Sequence, residues 1–300
     1  MDLSVVVPTL NGRDRLAASL DSLAAYAPDA EIVVVNGPSA DGTTGMVRER
    51  DDVDVLVEIS ARTLNVARNA GIEAASGDAI AFLGQDFVIE ESWLGAVVEG
   101  LADADVVTGP THQTLRVGMT TDEPERREIA HRRVTYFSGN NVAFRAETLG
   151  AIDGFDEYLE TGGARDAAHR VAGMDATVRW QPRMCVRREY EADGGVEEHD
   201  WGWKYRALTY RLVKNYGLRP TVVRRTLSHA ASDAVSTAKD VVGGNAAPTT
   251  WFGTGRDVVA GIATGASDGL VARARDRTTA RNPHGLSKRA DRAVARYDWR

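Results

Sequence analysis

Short runs rich in β-branched residues alternate with helix-like segments through the first half of the chain. Val5–Val7, Glu31–Val35, Val53–Val57, Ala79–Leu83 and Asp105–Thr108 are the runs. Between them lie Asn11–Tyr26, with Leu16, Leu20 and Leu23 on one face, a helix starting near Asp41, and the stretches Arg62–Ala75 and Glu91–Leu101. Val and Ile without polar alternation mark strands covered on both faces, and the intervening helices supply the cover. The fold class is therefore α/β, a mostly parallel sheet sandwiched by helices. Right-handed crossovers bring the C-terminal ends of such strands to one edge, so Pro8–Gly12, Asn36–Thr43 and Gly84–Asp86 are expected to converge on one cleft.

A chain of 300 residues, 43% hydrophobic and 26% charged, is neither disordered nor collagen-like. The lone Cys185 excludes an internal disulfide and a Cys-based zinc site, and reads as a small buried hydrophobe. The sequence opens directly on Leu3–Val7 with no basic, then apolar, then small-residue leader, so no secretory precursor is expected. Val258–Val271, the most apolar long stretch, is broken up by Asp257, Asp268 and Arg273, so no transmembrane segment is expected.

The net charge of −7 conceals an asymmetry. Residues 201–300 carry eighteen Lys and Arg against seven Asp and Glu, whereas residues 1–200 carry eighteen against thirty-six. A basic tail on an acidic body suits an anionic partner. No nucleic-acid recognition motif accompanies it, so nucleic acid is not the expected one. Residues 112–133 are polar and read as a long loop or a short exposed helix. Strands are expected over Ser138–Phe144 and Thr177–Val186. From Trp201 the pattern turns helical, with Trp201, Tyr205, Leu208, Leu212 and Tyr216 on one stripe beside Lys204, Arg206, Arg211 and Lys214. Such a segment suits a helix lying on an anionic membrane surface, or a core stripe beside a solvated basic face. Helices and loops are expected beyond Pro220.

Five segments, in order, carry a family resemblance: Val5-Val6-Val7-Pro8-Thr9-Leu10-Asn11-Gly12; Glu31–Val35 running into Asn36-Gly37-Pro38-Ser39-Ala40-Asp41-Gly42-Thr43; Ala67-Arg68-Asn69-Ala70-Gly71; Gly77–Leu83 running into Gly84-Gln85-Asp86; and Gly139–Arg145 followed by Gly154-Phe155-Asp156-Glu157. Together they resemble the family 2 inverting glycosyltransferases, with the Rossmann-like GT-A fold, over about residues 1–215. Residues 216–300 are left as a basic helical C-terminal region. The resemblance implies a nucleotide-sugar donor contacted by Pro8, Thr9, Asn11, Asn36, Asp41 and Arg68. It also implies a Mg²⁺ or Mn²⁺ ion neutralising the departing diphosphate, with Asp86 at the second aspartate of the family's D-x-D motif and His199 as a further candidate ligand.

The chain departs from the family pattern in three places. Gly84 replaces the first aspartate of D-x-D, and Asn36-Gly37-Pro38-Ser39 replaces D-D-G-S, where an amide can both donate and accept. Asp41 suits helix capping as well as ligand binding. The third departure is the base motif, read here as Gly162-Gly163-Ala164-Arg165-Asp166-Ala167-Ala168-His169-Arg170. One register makes Asp166 the base and Arg165 the preceding residue. The other pairs Arg170 with the motif arginine and leaves Ala164 at the base position. Asp166 is the expected base, with His169 the alternative. If the acceptor is instead a phosphate monoester, already nucleophilic at neutral pH, Arg165 and Arg170 would hold it and no base is required.

The implied acceptor is lipid-linked, a polyprenyl or dolichyl phosphate or a started lipid-linked oligosaccharide. The implied setting is glycan assembly for surface (S-layer) glycoproteins, at the cytoplasmic face of the cell membrane with peripheral attachment. A catalytically degenerate scaffold is the rival, supported by Gly84 and the eroded base motif. Sugar nucleotidyltransferases and dinucleotide-binding oxidoreductases would need glycine-rich phosphate loops that Pro8–Gly12 does not offer.

Overall fold

Val5, Val6 and Val7 have no solvent exposure at all, as consecutive β-branched residues of a doubly covered strand require. The computed structural model describes residues 1–113, 123–188, 200–242 and 248–300. The chain divides into two units. The first comprises Met1–Arg126, Thr135–Gly194 and His284–Arg300, and the second Arg127–Val134 and Gly195–Pro283.

In chain order the elements begin β1 (Leu3–Thr9), α1 (Arg13–Tyr26), β2 (Glu31–Asn36), α2 (Thr43–Arg48), β3 (Val55–Ile59), α3 (Leu64–Ala74), β4 (Ala79–Leu83) and β5 (Phe87–Ile89). There follow α4 (Trp93–Asp103), β6 (Val106–Thr108), β7 (Thr111–Gln113), β8 (Arg126–Ile129), β9 (Arg132–Thr135), β10 (Asn141–Arg145), α5 (Ala146–Ala151) and α6 (Gly163–Val171). The chain ends with β11 (Val178–Trp180), β12 (Val186–Arg188), α7 (Trp201–Tyr216), α8 (Pro220–Val242), α9 (Pro248–Arg275) and β13 (Ala293–Asp298).

The first unit is built on an eight-stranded sheet in the order β11-β6-β10-β4-β1-β2-β3-β13. β1 pairs in parallel with β2 and β4, and β2 with β3; β10 and β13 run antiparallel to their neighbours. The α/β reading therefore holds. A smaller sheet, β5-β12-β7, packs with α1 and α4 around Leu16, Leu20, Trp93 and Val97.

The family-like motifs prove to be folding contacts. A Cβ at Gly71 would collide with Val6, so this residue lets α3 lie directly on β1. The Asn69 side chain donates to Phe155 O (2.9 Å) and accepts from Phe155 N (2.8 Å), fastening α3 to the Gly154–Glu157 turn, where Gly154 has φ +64°. Asn65 does the same through Asp156 O (3.0 Å) and Leu159 O (2.6 Å). Buried Asn141 donates to Pro110 O and Met184 O and accepts from the Trp93 indole (3.0 Å), so its amide is fully used.

Three expectations are corrected. Residues 126–135 form the β8–β9 hairpin, turned at Ala130 and His131, both with positive φ, rather than a loop or helix. The boundary expected near 215 lies near 195, because α7 packs with the second unit. There Gly261, Gly265 and Gly269 of α9 form a ridge against the α7 backbone, where a Cβ would run into the carbonyls of Gly202, Arg206 and Tyr210. Residues 284–300 do not continue a helical tail but belong to the first unit, where β13 completes the sheet edge beside β3. Among the described residues, no helix is long and apolar enough to cross a membrane.

Candidate donor-binding site

The C-terminal ends of β1 to β4 enclose a cavity of 260 Å³, at the edge where ligands bind in open α/β sheets. Pro8, Thr9 and Leu10 form one wall, Ala61–Leu64 another, and Gly84, Gln85, Asp86 and Asn140 close it. The β1 end is held by Gln85, whose Oε1 accepts from the Thr9 hydroxyl (2.6 Å) and from Leu10 N (3.0 Å). Gly12 lacks the Cβ that would collide with that amide.

Around this wall the predicted donor residues divide. Pro8 and Thr9 line the cavity; Asn11, Asn36, Asp41 and Arg68 lie outside its lining and brace it. Asn11, at φ 48°, accepts from Ala40 N (2.8 Å), and its own N–H donates to Ser39 Oγ (2.8 Å). Buried Asn36 accepts from that same Ser39 hydroxyl (2.7 Å) and donates to Thr44 (2.9 Å). Asp41 accepts from Thr43 N (3.1 Å) and Arg13 N (3.0 Å), which joins the starts of α2 and α1. Burial pushes its carboxyl up, but the hydrogen bonds from Thr43 and Arg13 outweigh this and hold it below its ordinary value. Arg68 is buried behind the wall, donating to Gly139 O (2.8 Å) and stacked 5.0 Å over the Phe155 ring. Burial lowers its guanidinium to about 10.

Asp86 lines the cavity with its side chain 25% exposed, facing Arg15 at 3.2 Å and Arg188 at 3.9 Å. Arg188 in turn stacks 5.1 Å from the Phe87 ring centre. Although Arg15 Nη1 is close, Asp86 Oδ1 is a buried oxygen that accepts no hydrogen bond; the pair is Coulombic rather than directional. That leaves a carboxylate oxygen without a hydrogen-bond donor on a residue that lines the cleft. One such oxygen fits a Mg²⁺ or Mn²⁺ ion that takes its other ligands from diphosphate and water. No group of three or more His, Cys, Asp or Glu forms an all-protein metal cage among the described residues, and His199 lies outside them. Gly84 is crowded: a Cβ there would stand 2.9 Å from Asn140 Cγ and 3.0 Å from Phe87, so Asn140 fills the space of the missing aspartate.

The predicted base helix is differently disposed. Asp166 and Arg170 form an ion pair of 2.8 Å on α6 with both side chains 0% exposed, and Arg170 also donates to Ile152 O. Neither side chain of this pair is open to solvent, whereas an acceptor hydroxyl or phosphate would have to reach it from there. His169 is likewise fully buried, edge-on to Tyr136 with its Nε2 3.4 Å from the tyrosine hydroxyl. Arg165 is the exposed member, paired with Glu125 at 2.7 Å and stacked 4.6 Å from the Tyr136 ring centre. Sequence reasoning missed Gln85, Arg15 and Arg188. For Gln85 a signal existed in Gly12, whose missing side chain makes room for it.

The profile described as "Glycosyl transferase family 2" matches residues 4–155, half of the sequence. The chain belongs to this family. Among curated relatives, a pre-mycofactocin glycosyltransferase of Mycobacterium tuberculosis is 25% identical over 67% of this chain and 44% of its own length. Glycosyltransferase AglE of Haloferax volcanii is 27% identical over 54% of this chain and 58% of its own. The match thus spans only about half the length of these relatives. Among solved structures, the mannosyltransferase PcManGT of Pyrobaculum calidifontis, in complex with GDP-Man and Mn²⁺, aligns with a TM-score of 0.56 at 20% identity, covering 88% of this chain and 86% of the other. TarS of Staphylococcus aureus, in complex with UDP-GlcNAc, gives 0.57 at 18% identity, covering 70% and 65%. The fold is the GT-A fold expected from the motifs.

Proposed function

We propose that this family 2 member transfers a sugar, with inversion, from a nucleotide-diphosphate donor to a lipid-linked acceptor in surface-glycoprotein glycan assembly, working from the cytoplasmic face of the membrane. The observation that carries the donor half is Asp86, the one carboxylate among the described residues lining a cavity otherwise framed by Thr9, Gln85 and Asn140. Asp86 would hold a Mg²⁺ or Mn²⁺ ion, with His199 a further candidate; when bound, the ion supplies positive charge to the leaving diphosphate. Arg15 and Arg188 add cationic charge beside the same carboxylate and would help to orient the phosphates.

The acceptor half rests on what α6 lacks. With Asp166 sealed against Arg170, the helix offers no exposed carboxylate base. A phosphate monoester, whose second pKa is about 6, is largely dianionic at neutral pH and attacks without deprotonation. Exposed Arg165 is then the residue that would hold it.

Thermal-shift titration with nucleoside diphosphates and nucleotide sugars, with and without Mn²⁺, tests the donor site. Stabilisation by the nucleotide that deepens with metal, and loses the metal increment in Asp86→Asn, is the expected outcome. A metal response unchanged in Asp86→Asn would refute the assignment.

A further inference from the structure

A cavity of 570 Å³ opens in the second unit between the tip of the β8–β9 hairpin and the first turns of α8. Arg224, Arg225, His229, Thr221 and Ser228 line it from one face of the helix, and His131 from the hairpin. Glu128 is the one acid in the lining among the described residues. Among the described residues, no hydrogen bond or ion pair engages the guanidinium of Arg224 or Arg225. Two unpaired guanidinium forks beside two hydroxyls form a donor set suited to phosphate oxygens. Burial, and then the neighbouring Arg225, hold His229 below its ordinary value, although Asp233 opposes them; Lys204 and Arg211 add to the positive field.

The neighbouring face of α8 narrows the ligand further. Val223 and Leu227, one turn apart, are 46% and 56% exposed. A soluble anion would use the arginine face and leave both side chains in water. A phosphate carried on a hydrocarbon chain would cover both faces at once.

We propose that this cavity binds the phosphate headgroup of a membrane lipid, with Val223 and Leu227 against its chain. The inference rests on the membrane-surface part of the function proposed above and not on sugar transfer.

Flotation of the full chain with vesicles of phosphatidylcholine alone, or with phosphatidylglycerol added, tests it at low and high salt. Wild type should float only with the anionic vesicles and at low salt. Each basic residue near a charged surface contributes about 1 kcal/mol, so Arg224→Gln/Arg225→Gln should weaken binding about thirtyfold. Arg256→Gln/Arg275→Gln, which removes the same charge from exposed positions of α9, should bind as wild type. Val223→Ser/Leu227→Ser should also bind less well, with its salt response unchanged. Equal loss in the α9 control, or no loss in the α8 arginine variant, overturns the site. Wild-type binding by Val223→Ser/Leu227→Ser, or full competition by inorganic phosphate at matched phosphate concentration, assigns the cavity to a free anion and overturns the lipid. Nucleotide-induced thermal shifts, measured in parallel, check that each variant is folded. If nucleotides fail to stabilise the wild type while flotation behaves as expected, the donor reading falls and this site stands.

Discussion

Removing the Asp166 carboxylate separates a structural from a catalytic role for α6. In the folded protein this group lies 2.8 Å from Arg170 Nε, and neither side chain is exposed to solvent. Asp166→Ala strands a buried guanidinium whose other contact is the Ile152 carbonyl. Breaking a buried pair from one side costs about 3–5 kcal/mol. At about 2–4 °C per kcal/mol for a unit of this size, the melting temperature should fall by about 10 °C. Asp166→Leu/Arg170→Met replaces both charges with apolar groups of similar bulk, an exchange that is often neutral. The Ile152 carbonyl loses the donor it had in Arg170, at about 1–3 kcal/mol. The double variant should therefore melt above the single one, and should retain transfer to a phosphate-monoester acceptor. Circular dichroism melts and a nucleotide-release assay read the two quantities. Wild-type melting in Asp166→Ala together with abolished turnover would refute the structural assignment and restore Asp166 as the base.

Three further outcomes follow from packing and charge. Truncation after Arg292 removes β13, strips β3 of its antiparallel neighbour and takes Arg300 away from Glu31; light scattering should report association through the bared edge. Gly265→Ala gains about 1 kcal/mol in helix propensity, but its Cβ meets the Arg206 carbonyl. Overpacking at about 1–3 kcal/mol should win, giving a lower urea midpoint with an unchanged slope. Glu31 is pushed up by burial, yet the hydrogen bonds from Ser4, Ser76 and Arg300 prevail and hold its carboxyl below the ordinary value. Its stabilising contribution is complete above about pH 4.5 and is lost as pH falls through the lower folded value. Ser76→Ala should shrink that acid-side loss in a pH series of melts.

The strands that carry the donor cavity were legible because they are buried on both faces: Val5–Val7 and Glu31–Val35 leave little room for another reading. β13 was not. Its Ala293–Asp298 backbone adds to a sheet edge while most of its side chains remain exposed, so main-chain pairing, which leaves little mark on composition, makes the strand. The β8–β9 hairpin was hidden for the same reason, since β8 is mostly exposed. At the site, the motif residues were legible but their hydrogen bonds were not: Asn11, Asn36 and Arg68 are engaged with neighbouring loops, an arrangement that only the three-dimensional structure displays. On α7, Tyr205, Leu212 and Tyr216 of the predicted stripe are buried, so that stripe packs as core rather than facing outward.

Strand order also sets a timetable. β13 is translated after α7, α8 and α9, so the eight-stranded sheet gains its last member only after all three helices have left the ribosome. At about 5–20 residues per second, the hundred or so residues separating the end of β12 from β13 take roughly 5–20 seconds to emerge. Throughout that interval β3 waits as a raw flank, within reach of chaperones and of neighbouring nascent chains.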